Sequence, residues 1–209
     1  MSASRFTRRR LRAFVEDSSP GFTLVELMAY AAVVVTTAAF LVPFTRSALN
    51  SMNLTSDARN VSSATQLAKM RAAADFTKAR IYVELAAGTF RVQRWRKVAP
   101  VGWVEEGQVA PLSPTVGFGF AGLTTPPPNT QAAIGQAPPC LDNANQPIAA
   151  TACIIFNSRG VPVDTANTPT ANGAFYLSDG ATVFAITTSS GGLVRVWRSN
   201  TGGATWAAQ

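Results

Sequence analysis

The chain has 209 residues, 47% hydrophobic and 14% charged, enough for one ordinary domain plus an extension and too apolar for a disordered tail. It contains no histidine and two cysteines, which excludes Ser-His-Asp and Cys-His nucleophile activation and the usual zinc ligand sets. The formal charge of +7 is uneven: Arg5, Arg8, Arg9, Arg10 and Arg12 stand before residue 21 against Glu16 and Asp17, leaving 13 basic and 9 acidic side chains, a net of +4, in the remainder. The basic balance thus belongs partly to the leader and speaks weakly for nucleic acid.

The first predicted element follows that basic leader. Leu27 to Phe44 is an uncharged run of 18 residues, interrupted in apolar character by Thr36, Thr37 and Pro43. As a helix it would be about 27 Å long, near the hydrocarbon thickness of a bilayer. Arginines crowd its N-terminal side and Arg46 stands alone after it, so the positive-inside rule puts the leader in the cytoplasm and the bulk of the chain outside. Three arrangements compete. A cleaved secretory signal needs a shorter apolar core and a small-x-small site, for which Ser47-Ala48 is a poor candidate. A plain signal anchor fits the hydropathy but leaves Glu26 unexplained, because an unpaired carboxylate at membrane depth is costly. The third places a cut before the helix, at Pro20-Gly21-Phe22.

The ordered string "GFTLVELM", Gly21 to Met28, together with Pro43 inside the helix, resembles the type IV pilin and type II secretion pseudopilin family. The resemblance implies cleavage between Gly21 and Phe22 by a prepilin peptidase and N-methylation of Phe22. It also implies assembly through the helix, with Glu26 of one subunit paired to the free N-terminal amine of a neighbour or to its own before assembly. A paired charge costs far less than a lone one at that depth. The bland alternative leaves Glu26 snorkelling into headgroups at the cytoplasmic interface. Pro43 removes a helical hydrogen bond and should kink or loosen the helix, as related filaments do at such a proline.

From Arg46 to about residue 78 there is no proline or glycine, and Leu49, Met52, Val61, Ala64, Leu67, Ala68, Met70 and Ala74 recur mainly at three- and four-residue steps. An amphipathic helix is expected, its stripe lying on the head or on a partner helix. The period then becomes two: "RIYVELAAGTFRVQRWRKV" reads as a hairpin about Ala87-Gly88-Thr89, with Ile81, Val83 and Leu85 on one side. "TVGFGFAG", "ACIIFNSRG", "GAFYLSDG", "ATVFAITTSS" and "LVRVWRSN" are further strand candidates closed by turn residues. No crossover helix fits between them, so antiparallel sheets in two packed layers are expected. The stretch at about 111–150 is rich in Pro, Asn and Gln and reads as surface loop with little core potential.

The expected fold class is α+β: a long N-terminal hydrophobic helix packed on a C-terminal antiparallel β-sheet or β-sandwich head, as in pilins. The expected organisation is a cleaved cytoplasmic leader at 1–21, a transmembrane or filament-core helix at 22–45, a stalk helix at 46–79 and a β-rich head at 80–209. Cys140 and Cys153 are buried thiols in a reducing compartment or a small disulfide loop in an oxidising one. With the head in the periplasm, the disulfide is the favoured reading.

A narrower resemblance, to the GspH/FimT branch of the pseudopilins, rests on the turn Phe156-Asn157-Ser158-Arg159-Gly160 and a final hairpin from Val183 to Arg198. The branch's Gly-Arg-x-Arg-like end is broken here: Gly191-Gly192-Leu193 leaves Arg195 and Arg198. The resemblance implies a minor pilin or pseudopilin of the bacterial inner membrane, single-pass before assembly, at or near a filament tip. Its partners would be other pilins, the prepilin peptidase and an inner-membrane platform. A DNA-binding role in uptake is the alternative, with Arg94, Arg96, Arg195 and Arg198 as contacts, supported by Arg91, Lys97, Trp95 and Trp197. An enzyme is not expected: among Glu105, Glu106, Asp142, Asp164 and Asp179, the adjacent glutamates point to opposite faces of a strand and the aspartates read as turn residues. No cofactor or metal is expected, since no dense cluster of oxygen ligands occurs.

Overall fold

The computed structural model describes residues 21–202 and 205–209, without the side chains of Val42 and Pro43; the leader up to Pro20 lies outside the described residues. Thr23 begins the helix α1 (Leu24–Ala74). Its carbonyl accepts the first helical bond from Leu27 N–H at 3.1 Å, and its hydroxyl accepts from Glu26 N–H at 3.2 Å. Thr-x-x-Glu is the capping-box sequence, and an acid in the first turn complements the helix dipole. The helical assignment continues across Pro43. The stalk expected to end near residue 79 stops at Ala74 instead. Phe76 adopts φ 48°, and Thr77 N–H donates back to Ala72 O at 3.1 Å, which is a Schellman closure with phenylalanine where glycine is usual.

The chain divides into two units, residues 1–44 and 45–209. In the first, every described side chain from Phe22 to Leu41 is exposed. Thr36 and Thr37 donate their hydroxyls to Ala32 O at 2.9 Å and Val33 O at 2.6 Å, so the polar atoms of this apolar run are satisfied within the helix.

In the second unit the helix residues Leu54, Ala58, Val61, Thr65, Ala68 and Ala72 are fully buried, at steps of four and three. This is a correction to the expected stripe. Val61, Ala64 and Ala68 belong to it, while Leu49, Met52, Leu67, Met70 and Ala74 face outward. Small side chains let the helix axis come close to the sheets, and the longer apolar ones are left on the far side.

The strands among the described residues are β1 (Ala79–Glu84), β2 (Thr89–Arg96), β3 (Gly102–Pro111), β4 (Gly117–Phe118), β5 (Thr151–Phe156), β6 (Pro162–Val163), β7 (Ala174–Ser178), β8 (Thr182–Thr188), β9 (Val194–Asn200) and β10 (Ala207–Ala208). They form two five-stranded antiparallel sheets, ordered β3-β2-β1-β5-β6 and β10-β9-β8-β7-β4. Together with the helix this is an α+β layout. Ile81, Val83, Val92, Ile154 and Phe156 of the first sheet share one apolar core with Phe175, Leu177, Phe184 and Ile186 of the second and with the helix stripe.

The expected β1–β2 hairpin is present, with Ala79 opposite Arg94 and Glu84 opposite Thr89. The strand β3 was not expected; it pairs with β2 through a register shift between Phe90 and Val92, which breaks the simple alternation. The Pro-rich stretch differs from the expectation too. Leu112, Val116 and Leu123 are buried, and Leu123, Phe120 and Ile134 cover the outer face of the second sheet at Tyr176, Ala185 and Trp197. A one-sheet-thick layer with aromatic residues on both faces needs that cover.

Candidate functional site

The helix start comes first. Gly21 and Phe22 precede α1, and Phe22 is 74% exposed with its ring edge-on to Tyr30 at 6.1 Å. Glu26 occupies the third helical position, so one local reason for a carboxylate here is the cap itself. The helix is long and apolar enough to cross a membrane, and its most apolar window is entirely unburied.

Cys140 and Cys153 are joined in a disulfide with Cα atoms 4.9 Å apart. Cys140 N–H donates to Thr151 Oγ1 at 3.0 Å and Cys153 N–H to Pro138 O at 2.8 Å, while Tyr82 and Ile148 pack on the bridge. The bridge lays the segment 138–148 across the outer face of the first sheet.

The basic candidates lie on different sheets. Arg94 and Arg96 lie on β2 of the first sheet and Arg195 and Arg198 on β9 of the second. Strand alternation places Arg195 beside Trp197 on one face and Arg198 on the other, where its guanidinium stands 6.0 Å from the Phe184 ring. Trp197 is buried and donates its indole N–H to Thr187 Oγ1 at 3.0 Å, so it offers no stacking face. Arg91 is held by Glu84 at 2.9 Å and Glu105 at 3.0 Å. Arg96 donates to Pro100 O at 2.8 Å and Lys97 to Phe76 O at 2.6 Å.

The acids are similarly engaged. Glu106 pairs with Arg71 at 2.7 Å. Asp142, Asp164 and Asp179 each accept two backbone N–H bonds through Oδ1, from Ala144 and Gln146, Ala166 and Thr168, and Ala181 and Thr182. These are turn-forming aspartates. Among the described residues no group of three or more His, Cys, Asp or Glu is placed to hold a metal ion.

The outer face of the first sheet carries an arrangement that no local motif announces. Arg80 is 2% exposed and sits between the rings of Trp103, at 4.0 Å, and Tyr82, at 5.3 Å. Its Nε donates to Gln93 Oε1 at 2.7 Å and its Nη1 to Leu141 O at 2.6 Å. Burial pulls the guanidinium down from 12.5 to about 10, still protonated at neutral pH. The cation holds Trp103 on one face, and Trp95 meets Trp103 edge-on at 5.3 Å. Beside the two indoles opens a cleft of about 320 Å³ reaching Lys78, Asn143, Asn145 and Asp164. Comparison of the chain with family models, with curated proteins and with solved structures returned no match.

Proposed function

We propose that this protein is a minor pilin or pseudopilin: a filament subunit processed between Gly21 and Phe22, methylated on Phe22, and assembled through its N-terminal helix. The observation that carries this reading is the order Gly21-Phe22-Thr23-Leu24-Val25-Glu26 at the start of a helix whose apolar side chains through Leu41 are all exposed. In water such a surface is untenable, so it needs lipid or neighbouring helices as its surroundings. Cleavage creates an α-ammonium at Phe22, four residues from Glu26, and each charge lowers the cost of immersing the other. A neighbouring subunit's carboxylate satisfies that amine equally well, which makes the pair a register device for stacking helices. Leu49, Met52, Leu67 and Met70, outward on the stalk, extend an apolar contact surface beyond the bilayer-length segment. Under this reading the head is periplasmic before assembly, compatible with its disulfide, and the chain is a structural partner of other pilins, a prepilin peptidase and an inner-membrane platform rather than an enzyme.

The mass of the mature N-terminal peptide tests the reading. N-methyl-phenylalanine at residue 22 is expected; an intact Met1, or a terminus near residue 48, overturns it. Glu26→Ala is expected to lower filament incorporation about tenfold or more, as loss of one charge partner at membrane depth requires, without changing the thermal unfolding of the β-rich unit.

A further inference from the structure

The cleft beside Trp95 and Trp103 has a composition that the filament reading does not use. Its apolar side is two indoles with Leu141 and Ile155. Neither indole N–H donates a hydrogen bond among the described residues, in contrast to Trp197 and to Trp206, which donates to Thr125 O at 3.0 Å. The ammonium of Lys78, the amide nitrogen of Asn143 and the side chain of Asn145 are likewise without hydrogen-bond partners, and Asp164 keeps Oδ2 free after Oδ1 has closed its turn. The cleft, about 320 Å³ and at the lower end of small-molecule sites, is therefore lined by residues that carry π surface, free donors and a free carboxylate oxygen.

Part of its wall is held before any ligand arrives. Asn143 Oδ1 accepts the backbone N–H of Trp103 at 3.0 Å, and its side chain rests on Gly102, where a Cβ would stand 2.6 Å from Asn143 Nδ2. Arg80 ties Leu141 to the sheet below, and the disulfide anchors the same segment at Cys140. A second cleft of about 240 Å³, floored by Pro138, Pro139 and Pro162, adjoins through Leu141, Ile155 and Asp164.

We propose that the tryptophan cleft binds a neutral pyranose sugar, and that the adjoining proline-lined cleft accepts the next residue of a glycan chain. The axial C–H bonds of a pyranose carry partial positive charge and match the negative face of an indole. Its hydroxyls both donate and accept, which matches Asp164 Oδ2 against Lys78, the Asn amides and the free indole N–H groups. A nucleic acid matches less well, because the carboxylate faces the same space as the one ammonium. An acyl chain has no use for so many donors, each of which would lose its water without a replacement bond.

The inference is independent of the filament reading, since neither needs the other's residues. The test is full-length protein in lipid nanodiscs, free of glycoside detergents, on a glycan array and by saturation-transfer NMR with methyl β-glucopyranoside, methyl β-galactopyranoside and N-acetylglucosamine. Binding is expected with saturation strongest at ring C–H protons. Trp95→Ala, Trp95→Phe and Asp164→Asn are the variants: the alanine and asparagine changes should each weaken binding tenfold or more, and Phe should retain part of it. Asp164→Asn keeps the Oδ1 acceptor of its turn, so its loss of binding cannot be ascribed to unfolding. Arg94→Ala, on the opposite face of β2, should leave binding unchanged. No bound glycan on the array, glycan binding indifferent to Trp95 and Asp164, or preferential binding of oligodeoxythymidylate abolished by Trp95→Ala would each overturn the proposal.

Discussion

The two halves of α1 obey opposite rules. Residues 24–41 are the most apolar stretch of the chain and bury nothing, whereas residues 50–74 are mixed in composition and bury a face made largely of Ala, Ser and Thr. Hydrophobicity therefore does not report burial along this helix. Where the helix lies against sheets, the buried face is mostly small, with Leu54 and Val61 as its larger apolar members and Asp57 as its acid. Where it is bare, large and small apolar side chains alike are presented outward.

That contrast can be broken at paired positions. Phe156 is fully buried and Phe40 is 79% exposed. Phe156→Ala should cost about 3–5 kcal/mol of the β-rich unit's stability, while Phe40→Ala should change it by less than about 0.5 kcal/mol; denaturant unfolding of both variants in nanodiscs decides. An equal loss from Phe40→Ala would show that the bare half contributes to the head's stability after all. Two acids on the same helix allow a sharper version. Asp57 is buried and accepts Ser113 N–H at 2.8 Å, tying the helix to the segment after β3, whereas Glu26 is exposed. Asp57→Ala leaves that amide unsatisfied and should cost about 1–3 kcal/mol, against no measurable change for Glu26→Ala in the same unfolding experiment. The smallest effect is spectroscopic. Burial raises the Tyr176 phenol from 10.0 to about 12, and its hydroxyl donates to Gln131 Oε1 at 2.8 Å. The folded chain thus keeps a proton that the unfolded chain loses above pH 10. Its contribution is complete below that pH and is lost as pH rises from about 10 to about 12. Absorbance at 295 nm should show one of the three tyrosines ionising only near pH 12 in the native protein; complete ionisation by pH 11 would contradict the buried placement.

The sequence made some of this visible and hid the rest for physical reasons. The bilayer-length helix, the β1–β2 hairpin and the candidate pair of cysteines were legible because each is a local pattern or a count. The buried stripe of α1 was misread because hydropathy ranks Met52 and Met70 above Ala58, Thr65 and Ala72, although only the latter let the sheets approach. The strand β3 was missed because Glu105-Glu106 and Gly107 interrupt its alternation, and because most of it is an exposed edge with no apolar period to follow. The Pro-rich segment looked featureless, yet its Phe120, Leu123 and Ile134, with Trp206, cover the second sheet's outer face. Least legible was the tryptophan cleft. Lys78, Trp95, Trp103, Asn143 and Asp164 are brought together by strand pairing and by a disulfide, and no two of them form a motif in the chain.

Lys69 reaches from the helix to donate to Gly192 O at 2.9 Å, and its side chain also lies against Gly160. Gly192 has φ +81°, and a Cβ there would collide with the Gly160 carbonyl, so both turns must be glycine for three chain segments to meet around one ammonium. In mechanical terms this is one rivet among several: the apolar seam, Asp57 and Arg71 fasten the helix elsewhere, and trimming the Lys69 amine to methionine would loosen the two turns that end β5 and β8 while leaving that seam in place.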